Sequence, residues 1–581
     1  MGKKNRDKKS PQKALTQPDI EIPLGRRTPK YRFFEMLPAL LSVGAIVLLI
    51  VLSIFLPVLA ALYVLLLVLM TFVRAFGVAY RTIQGNVIRH KFAKLDYGKM
   101  LDDLQNPSSA FKSIKSDFAK NPKLAHKFYA KDHFSNLEKI SKNQSNFPAV
   151  KNIHHGIVIA LYNEGFEIIK PTLDAILANN FDPKKMFVVV AYEQRGGEAA
   201  KETVSKVREN FANKFGALLL VEHPADIPDE VVGKGANISY AGRVLAEFIS
   251  GKEVQSQKLN QAIDSKDVII TTLDCDNRPS DQFFANLAYE FIVRENRQQI
   301  ALQPLCLFNN NIWDVPAPIR VVATGNTFFN IIGSMRPHTL RNFASHSQGM
   351  WALEQMDFWS VRTVVEDGHQ FWRSYFKFDG KYEVVPFFST VGQDAVYAGG
   401  YRESLKAQFI QLRRWAYGAS DVPYVANLGF SRKFHHKLDI FAKFFRLLEG
   451  HVSLASVAPI VAFGAFAPLY LNPNAAHTSI VVNDLPLIVS RIQQIAVFGL
   501  LITVFSSMFL LPKRPKNYRR SKNILMIFQW VLMPVTSILY WSAAAYTAQI
   551  RLATGHYMGK FDVTEKKIVH KKNHNKKAAK A

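Results

Sequence analysis

The chain has 581 residues, 48% of them hydrophobic, a net charge of +27 and only two cysteines. It is too long for one compact domain. Two isolated cysteines give no disulfide framework and no tetrahedral thiolate centre. The positive excess admits nucleic acid, anionic lipid or anionic substrates as partners, but it sits in two tails and in short loops beside apolar runs, the mark of the cytoplasmic side of a membrane. It is therefore read as topological, and no nucleic-acid partner is expected.

Residues 1–30 are polar, basic and proline-punctuated, and disorder is expected there. Residues 31–81 are read as a transmembrane hairpin. Their run 36–73 is almost wholly apolar, and a single span needs about 20 residues, so the run fits two with a break near Pro57. Basic residues flank both ends, which places both ends inside; one long tilted helix is the alternative. No cleavable signal peptide is expected. Residues 82–150 are Lys-rich and read as a cytoplasmic helical connector, with helices around 92–105 and 124–142.

From His154 the pattern changes. Short apolar runs at 156–161, 186–192, 217–222 and 267–274 alternate with helix-like segments at 166–179, 196–214 and 235–250. This predicts a parallel sheet covered on both faces, in a domain spanning 151–425. Ligands on such sheets bind beyond the carboxyl ends of the strands. Those ends carry Tyr162-Asn163-Glu164, Glu193 and Asp274-Cys275-Asp276.

Residues 426–550 are read as an interfacial helix followed by spans at 452–471, 487–511 and 524–549. The loop Lys513–Lys522 is basic, hence inside; 472–486 has no Lys or Arg, hence outside. Three crossings would put the basic tail 551–581 outside. The stretch 524–549, broken at Pro534, is therefore expected to be re-entrant or interfacial. The result is a multi-pass protein of the plasma membrane with its α/β domain in the cytoplasm.

Asp274 and Asp276, spaced i, i+2 at a strand-to-loop transition, can share a hard cation that also grips a diphosphate; such a pair is otherwise just an acidic loop. Asn163 also reads as a helix cap, and Lys234-Gly235-Ala236-Asn237 as a turn. Glu366-Asp367 offers a carboxylate base, or simply a solvated helix start. Gln411-Leu412-Arg413-Arg414-Trp415 brings a planar guanidinium fork and a broad amphipathic indole, or forms an interfacial amphipathic helix.

In this order, between hydrophobic spans, these pieces resemble the processive membrane glycosyltransferases of family 2, which include cellulose and hyaluronan synthases. The resemblance implies an α/β GT-A (Rossmann-like) domain inserted between transmembrane helices. It implies that Asp274 faces the nucleotide and Asp276 binds Mg²⁺ or Mn²⁺. It places Tyr162, Asn163, Glu164 and Lys234 beside the nucleotide. Asp367, next to Glu366, would take the acceptor hydroxyl proton. Gln411, Arg414 and Trp415 complete the Gln-x-x-Arg-Trp motif, whose Arg contacts the diphosphate and whose Trp supports the acceptor sugar. One strand departs from the family pattern: Ala191-Tyr192-Glu193-Gln194 stands where relatives carry Asp-Asp-Gly-Ser. Glu193 is thus the substitute for the acid that touches uracil or ribose, and base specificity stays open. Phe561-Asp562-Val563-Thr564-Glu565-Lys566 is similar to the cellulose synthase gating loop, which adds Thr564 and Lys566 to the substrate contacts.

The function expected from this resemblance is inverting transfer from a UDP-hexose or similar donor, elongating a polysaccharide and exporting it. A non-processive transferase acting on a lipid acceptor is the alternative, followed by a non-catalytic basic membrane protein. The expected partners are a nucleotide-sugar donor, a growing glycan or lipid acceptor, and membrane lipids. No protein partner can be named.

Overall fold

The computed structural model describes residues 20–559, apart from Arg432 and Asn517. Two long helices come first, α1 (Pro29–Phe55) and α2 (Pro57–Phe92). Thr28 caps α1 by accepting the Tyr31 N–H at 3.2 Å, and a proline opens each helix, where its missing N–H costs nothing. The break at Leu56 falls where Pro57 predicts it, but α2 runs on to Phe92, past the expected boundary at 81. The connector holds α3 (Tyr97–Gln105), α4 (Pro107–Lys120) and α5 (Ala130–Lys142); α4, which has few buried residues, was not expected.

The expectation of disorder up to residue 30 is corrected for its last third. Ile20 and Ile22 are buried in an aromatic core with Trp372 and Tyr424. Glu21 pairs with the buried Arg373, and Tyr424 donates its hydroxyl to the Ile20 carbonyl at 2.6 Å. Two isoleucines one residue apart in a polar tail are too few to carry a periodic signal, which is why the sequence reading passed over them.

The α/β domain follows as β1 (His154–Leu161), α6 (Phe166–Leu177), β2 (Met186–Glu193), α7 (Gly197–Phe211), β3 (Ala217–His223), α8 (Lys234–Ile249) and β4 (Val268–Asp274). All four strands pair in parallel, in the order β3-β2-β1-β4, and are buried on both faces, as continuous apolar runs require. Gly156 in β1 admits this packing: a Cβ there would lie 2.4 Å from Ile270 and 2.7 Å from Leu245.

The sheet does not stop there, which corrects the wholly parallel expectation. It continues through β5 (Arg278–Pro279), α9 (Phe283–Ile292), β6 (Ile300–Leu307), α10 (Ala317–Ser334), β7 (Ser347–Gly349), α11 (Met350–Glu354), α12 (Glu366–Lys377) and β8 (Glu383–Gly392). The full order is β3-β2-β1-β4-β7-β6-β8-β5, with β7 and β5 antiparallel to their neighbours. β6 and β8 each carry a proline, and their register slips after Pro304, as expected where ladder donors are missing.

Then come α13 (Tyr401–Ala416), α14 (Asp421–Gly429) and α15 (Lys437–Phe463). Among the described residues, five helical stretches are long and apolar enough to cross a membrane: Pro29–Phe55, Pro57–Phe92, Lys437–Leu471, Ile480–Met508 and Ser521–Thr554. The last passes Pro534 without a break, through 3₁₀ and π turns at Gln529–Leu532 and Ser537–Ser542. The break expected at that proline is therefore absent; neighbouring turns absorb its lost hydrogen bond.

Candidate active site

The parallel register brings three polar strand ends to one edge. Ala160 lies opposite both Ala191 and Asp274, so Tyr162, Glu193 and Asp274 emerge side by side. They open onto a chamber of about 1680 Å³, also lined by Glu164, Lys234, Asp276, Glu366, Asp367, Gln411, Arg414 and Trp415. Eleven of the residues singled out from sequence thus meet in one cavity. Asn163 does not: it is exposed and off the chamber wall. It does not cap α6 either, whose cap is Gly165. Thr564 and Lys566 lie outside the described residues.

Lys234 opens α8 and reaches across the strand ends. Its Nζ lies 2.7 Å from Asp274 Oδ1 and 3.7 Å from Glu366 Oε1. Burial works against the ammonium charge, but Asp274, Glu366 and Asp367 outweigh it and raise its pKa. Glu366 is 3% exposed; burial pushes its carboxyl up to about 7, with Asp367 adding to the rise and Lys234 opposing it. Gly235 is what lets α8 approach α12 so closely. A Cβ on it would lie 2.7 Å from the Ser360 carbonyl and 3.0 Å from Glu366 Cβ.

Asp276 is buried and held by backbone and amide donors. The Asp394 N–H donates to Oδ2 at 3.1 Å. With its amide oriented to satisfy both ends, Asn277 donates to Asp276 Oδ1 at 3.1 Å and accepts from the Asp274 N–H at 3.0 Å. Cys275, between the acids, packs into the core, and its carbonyl accepts from Thr172 at 2.8 Å. It fills the middle of the motif.

At Glu193, Oε2 accepts from Arg195 at 3.1 Å and meets His223 Nδ1 at 3.2 Å. The other ring nitrogen of His223 meets Glu230 at 3.0 Å. Burial disfavours a charged imidazole, but the two carboxylates prevail and lift His223 to about 9. Glu193 Oε1 is buried without a partner among the described residues.

Asp367 lies in the first turn of α12, its Oδ1 accepting the Gly368 N–H at 2.7 Å. It is half-buried, so it keeps access to the chamber while the helix N-terminus supports its charge. Trp415, at the end of α13, packs between Phe308 and Trp541, with ring centroids 6.0 and 6.5 Å away. Its neighbour Leu412 is buried against Val322 and Ala544. α13 thus connects the α/β domain to the segment Ser521–Thr554.

Among the described residues no cluster of three His, Cys, Asp or Glu side chains forms a closed metal centre. The two acids fit an open site instead. Both line the chamber, a carboxylate offers about four acceptor sites, and a hard cation commonly takes one or two carboxylates with the rest from phosphate. Asp274 and Asp276 would hold it, and it would supply charge to a departing diphosphate. The arrangement as a whole suits a polyphosphate ester: cations from Lys234 and Arg414, acids for a metal, and a carboxylate within the same cavity.

Sequence reasoning missed Asp394, Arg341 and Arg446, which also line the chamber. Asp394 follows β8, a strand whose proline and short apolar alternation gave no continuous run to read. Arg341 lies in an irregular loop after α10, and Arg446 looks like an ordinary interfacial arginine.

No family model matches the chain, and no curated protein sequence matches it. Among solved structures, the mannosyltransferase PcManGT from Pyrobaculum calidifontis, in complex with GDP-Man and Mn²⁺, is similar over 79% of this chain and 98% of its own, at 14% identity and a TM-score of 0.35. TarS of S. aureus in complex with UDP-GlcNAc is similar over 71% and 93%, at 12% identity and a TM-score of 0.31. At such scores the likeness bears no weight on function, which rests on the geometry above.

Proposed function

We propose that this chain is a membrane-embedded inverting glycosyltransferase of the GT-A type that uses a nucleotide-diphospho-sugar. The observation that carries the reading is the convergence, in one cavity, of a strand-end acid pair, a buried lysine, an accessible helix-start carboxylate and the Arg-Trp end of α13. Asp274 and Asp276 would hold a divalent cation, which would supply charge to the diphosphate. Lys234 and Arg414 offset its charge, and Tyr162, Glu164 and Glu193 face the nucleoside. Asp367 takes the acceptor hydroxyl proton, and Trp415 offers its ring to the acceptor sugar. One base and one activated leaving group give single displacement with inversion; a second carboxylate nucleophile is not needed.

On this reading the donor is cytoplasmic, a UDP-hexose fits the resemblance, and the Gln-x-x-Arg-Trp motif favours repeated addition with export along the spans. The resemblance adds Thr564 and Lys566 to the nucleotide contacts. The described chain ends beside this site, since the Met558 N–H donates to Tyr417 at 3.2 Å. A second reading, transfer to a lipid acceptor, is favoured by a different observation: the chamber continues between apolar walls at the level of the spans.

The test is nucleotide diphosphate release by the protein in lipid nanodiscs with Mn²⁺ or Mg²⁺ across a panel of UDP- and GDP-sugars. Release with one donor is expected to fall by about 10²–10⁴ in Asp367→Asn, the span of general-base catalysis, with little change in donor KM. Release that is unchanged in the variant would refute the assignment. Product sizing then separates repeated from single addition.

A further inference from the structure

We propose that the membrane-level end of the chamber binds the phosphate-ester headgroup of a lipid-linked acceptor, through Arg74, Arg341 and Arg446. The proposal rests on the transferase reading above and names its acceptor.

All three arginines line the same cavity as Asp367 and Trp415. Their depth is fixed by sequence. α2 carries no charge from Pro57 to Val73, and Arg74 ends that run; in α15, Arg446 and Glu449 are the last charges before the apolar stretch from Val452. Both therefore sit where a bilayer's headgroups lie. Arg341 comes to the same wall from the α/β domain, its guanidinium 4.6 Å from the centre of the Trp372 ring.

Acids on this wall do not balance these cations. Glu449 pairs with Arg74 at 2.8 Å, and Asp421 is engaged by His369 at 2.7 Å. Among the described residues neither Arg341 nor Arg446 forms an ion pair. Burial lowers the Arg341 pKa to about 10; Asp421 opposes the fall, and the nearby charge of Arg446 adds to it. An entering anion would relieve both effects. Guanidinium forks suit phosphate oxygens, which can accept two bonds from one arginine.

Above the arginines the wall is mainly apolar, with Val457, Val461, Leu500, Met533 and Ile538 outnumbering Gln493 and Ser537. A hydrocarbon tail loses nothing there, whereas a neutral glycan would leave hydroxyls unpaired and would have no use for the cations. Arg74 and Arg446 are exposed, yet both line the cavity that holds Asp367, which arginines gripping only bulk anionic lipid need not do.

The chemistry balances without altering the anchor. A hydroxyl of the lipid-linked sugar attacks C1 of the donor sugar. The C1–O bond to the diphosphate breaks, its electron pair leaves on the nucleotide diphosphate, and the hydroxyl proton passes to Asp367. The lipid phosphate is unchanged.

The test measures binding without donor, in phosphatidylcholine nanodiscs with EDTA, so that it does not depend on transfer. The probes are undecyl-diphospho-glucose, undecyl glucoside and inorganic pyrophosphate. The expected result is that the diphosphate lipid binds at least about tenfold tighter than the glucoside, as charge-assisted hydrogen bonds allow. Arg446→Gln should remove about that factor for the charged lipid alone. Arg341→Gln should do the same; because Arg341 is more enclosed, Arg446→Gln decides if the former does not fold. Equal binding of the two lipids, or unchanged affinity in Arg446→Gln, would overturn the proposal. Pyrophosphate competing as strongly as the lipid would also overturn it, assigning the arginines to a free diphosphate. Failure of the transferase reading shows elsewhere, as donor turnover that survives Asp367→Asn.

Discussion

Replacing Glu193 with Gln tests the nucleoside end of the site through two independent readouts. Glu193 is 5% exposed; one oxygen is shared by Arg195 and His223, and the other is buried and unpartnered beside the chamber. A ribose hydroxyl or base N–H placed on that free oxygen would form a charge-assisted bond worth about 1.5–3 kcal/mol, or about 10- to 150-fold in Kd. Gln keeps the shape and loses the charge, so nucleoside diphosphate binding should weaken by about tenfold or more. kcat at saturating donor should change little, because the contact is to the nucleoside and not to the reacting carbon.

The second readout is pH. His223 is held at about 9 in the folded chain against an ordinary 6.5. A folded-state pKa raised in this way contributes stability that is fully present below pH 6.5 and is lost as pH rises through 9. The shift corresponds to about 3 kcal/mol, reduced to about 2 kcal/mol for partial solvent screening. Removing the Glu193 charge should flatten this loss. Titration calorimetry with nucleoside diphosphates at pH 7, and unfolding temperatures at pH 6.5 and 9.5, read the two effects. Unchanged affinity together with an unchanged pH slope would refute the role given to this cluster.

Two other outcomes follow from the Lys234–Glu366 contact. Gly235→Ala inserts a Cβ 2.7 Å from the Ser360 carbonyl and 3.0 Å from Glu366 Cβ; shifting the base-bearing start of α12 by a fraction of an ångström should cost about tenfold or more in kcat, and unaltered turnover would mean that α12 adapts freely. Glu366, raised to about 7 from 4.5, favours the folded state fully below pH 4.5, and that contribution is lost as pH rises through 7. Glu366→Gln should therefore be more stable than the parent at pH 8 by an amount on the order of 2 kcal/mol, and its unfolding temperature should vary less between pH 5 and 8; a parent-like pH slope would refute the burial argument.

The parallel half of the sheet was legible because each strand is a continuous apolar run ending in polar residues: Ile157–Leu161 before Tyr162, and Ile269–Leu273 before Asp274. The other half was not. β6 and β8 carry Pro304 and Pro386, and β7 has only three residues, so neither period nor length marks them. The site was legible where its residues cluster in sequence, as in Asp274–Asp276, Glu366–Asp367 and Gln411–Trp415. It was silent where a single side chain arrives from a loop or helix whose sequence looks ordinary: Arg341, Arg446 and Asp394. Asn163 lies apart from the chamber for the opposite reason. Its motif is well formed, but the turn after β1 directs Tyr162 and Glu164 inward, the Tyr162 N–H being taken by Glu164 at 2.9 Å, and leaves Asn163 in solvent.

The docking of the N-terminal stretch has a temporal side. Ile20 gives its carbonyl to Tyr424, 404 residues later in the chain. At about 5–20 residues per second, the usual pace of synthesis, that is a wait of about 20–80 s. During it the first two helices can already be committed to the bilayer, while Ile20, Glu21 and Ile22 have no surface to cover them. The stretch is buried only once Arg373 and Tyr424 exist and have packed. It therefore acts as a seal on a finished chain: a product that stops short of α14 keeps an apolar, cleavable end in view, ready for the cell's proteases.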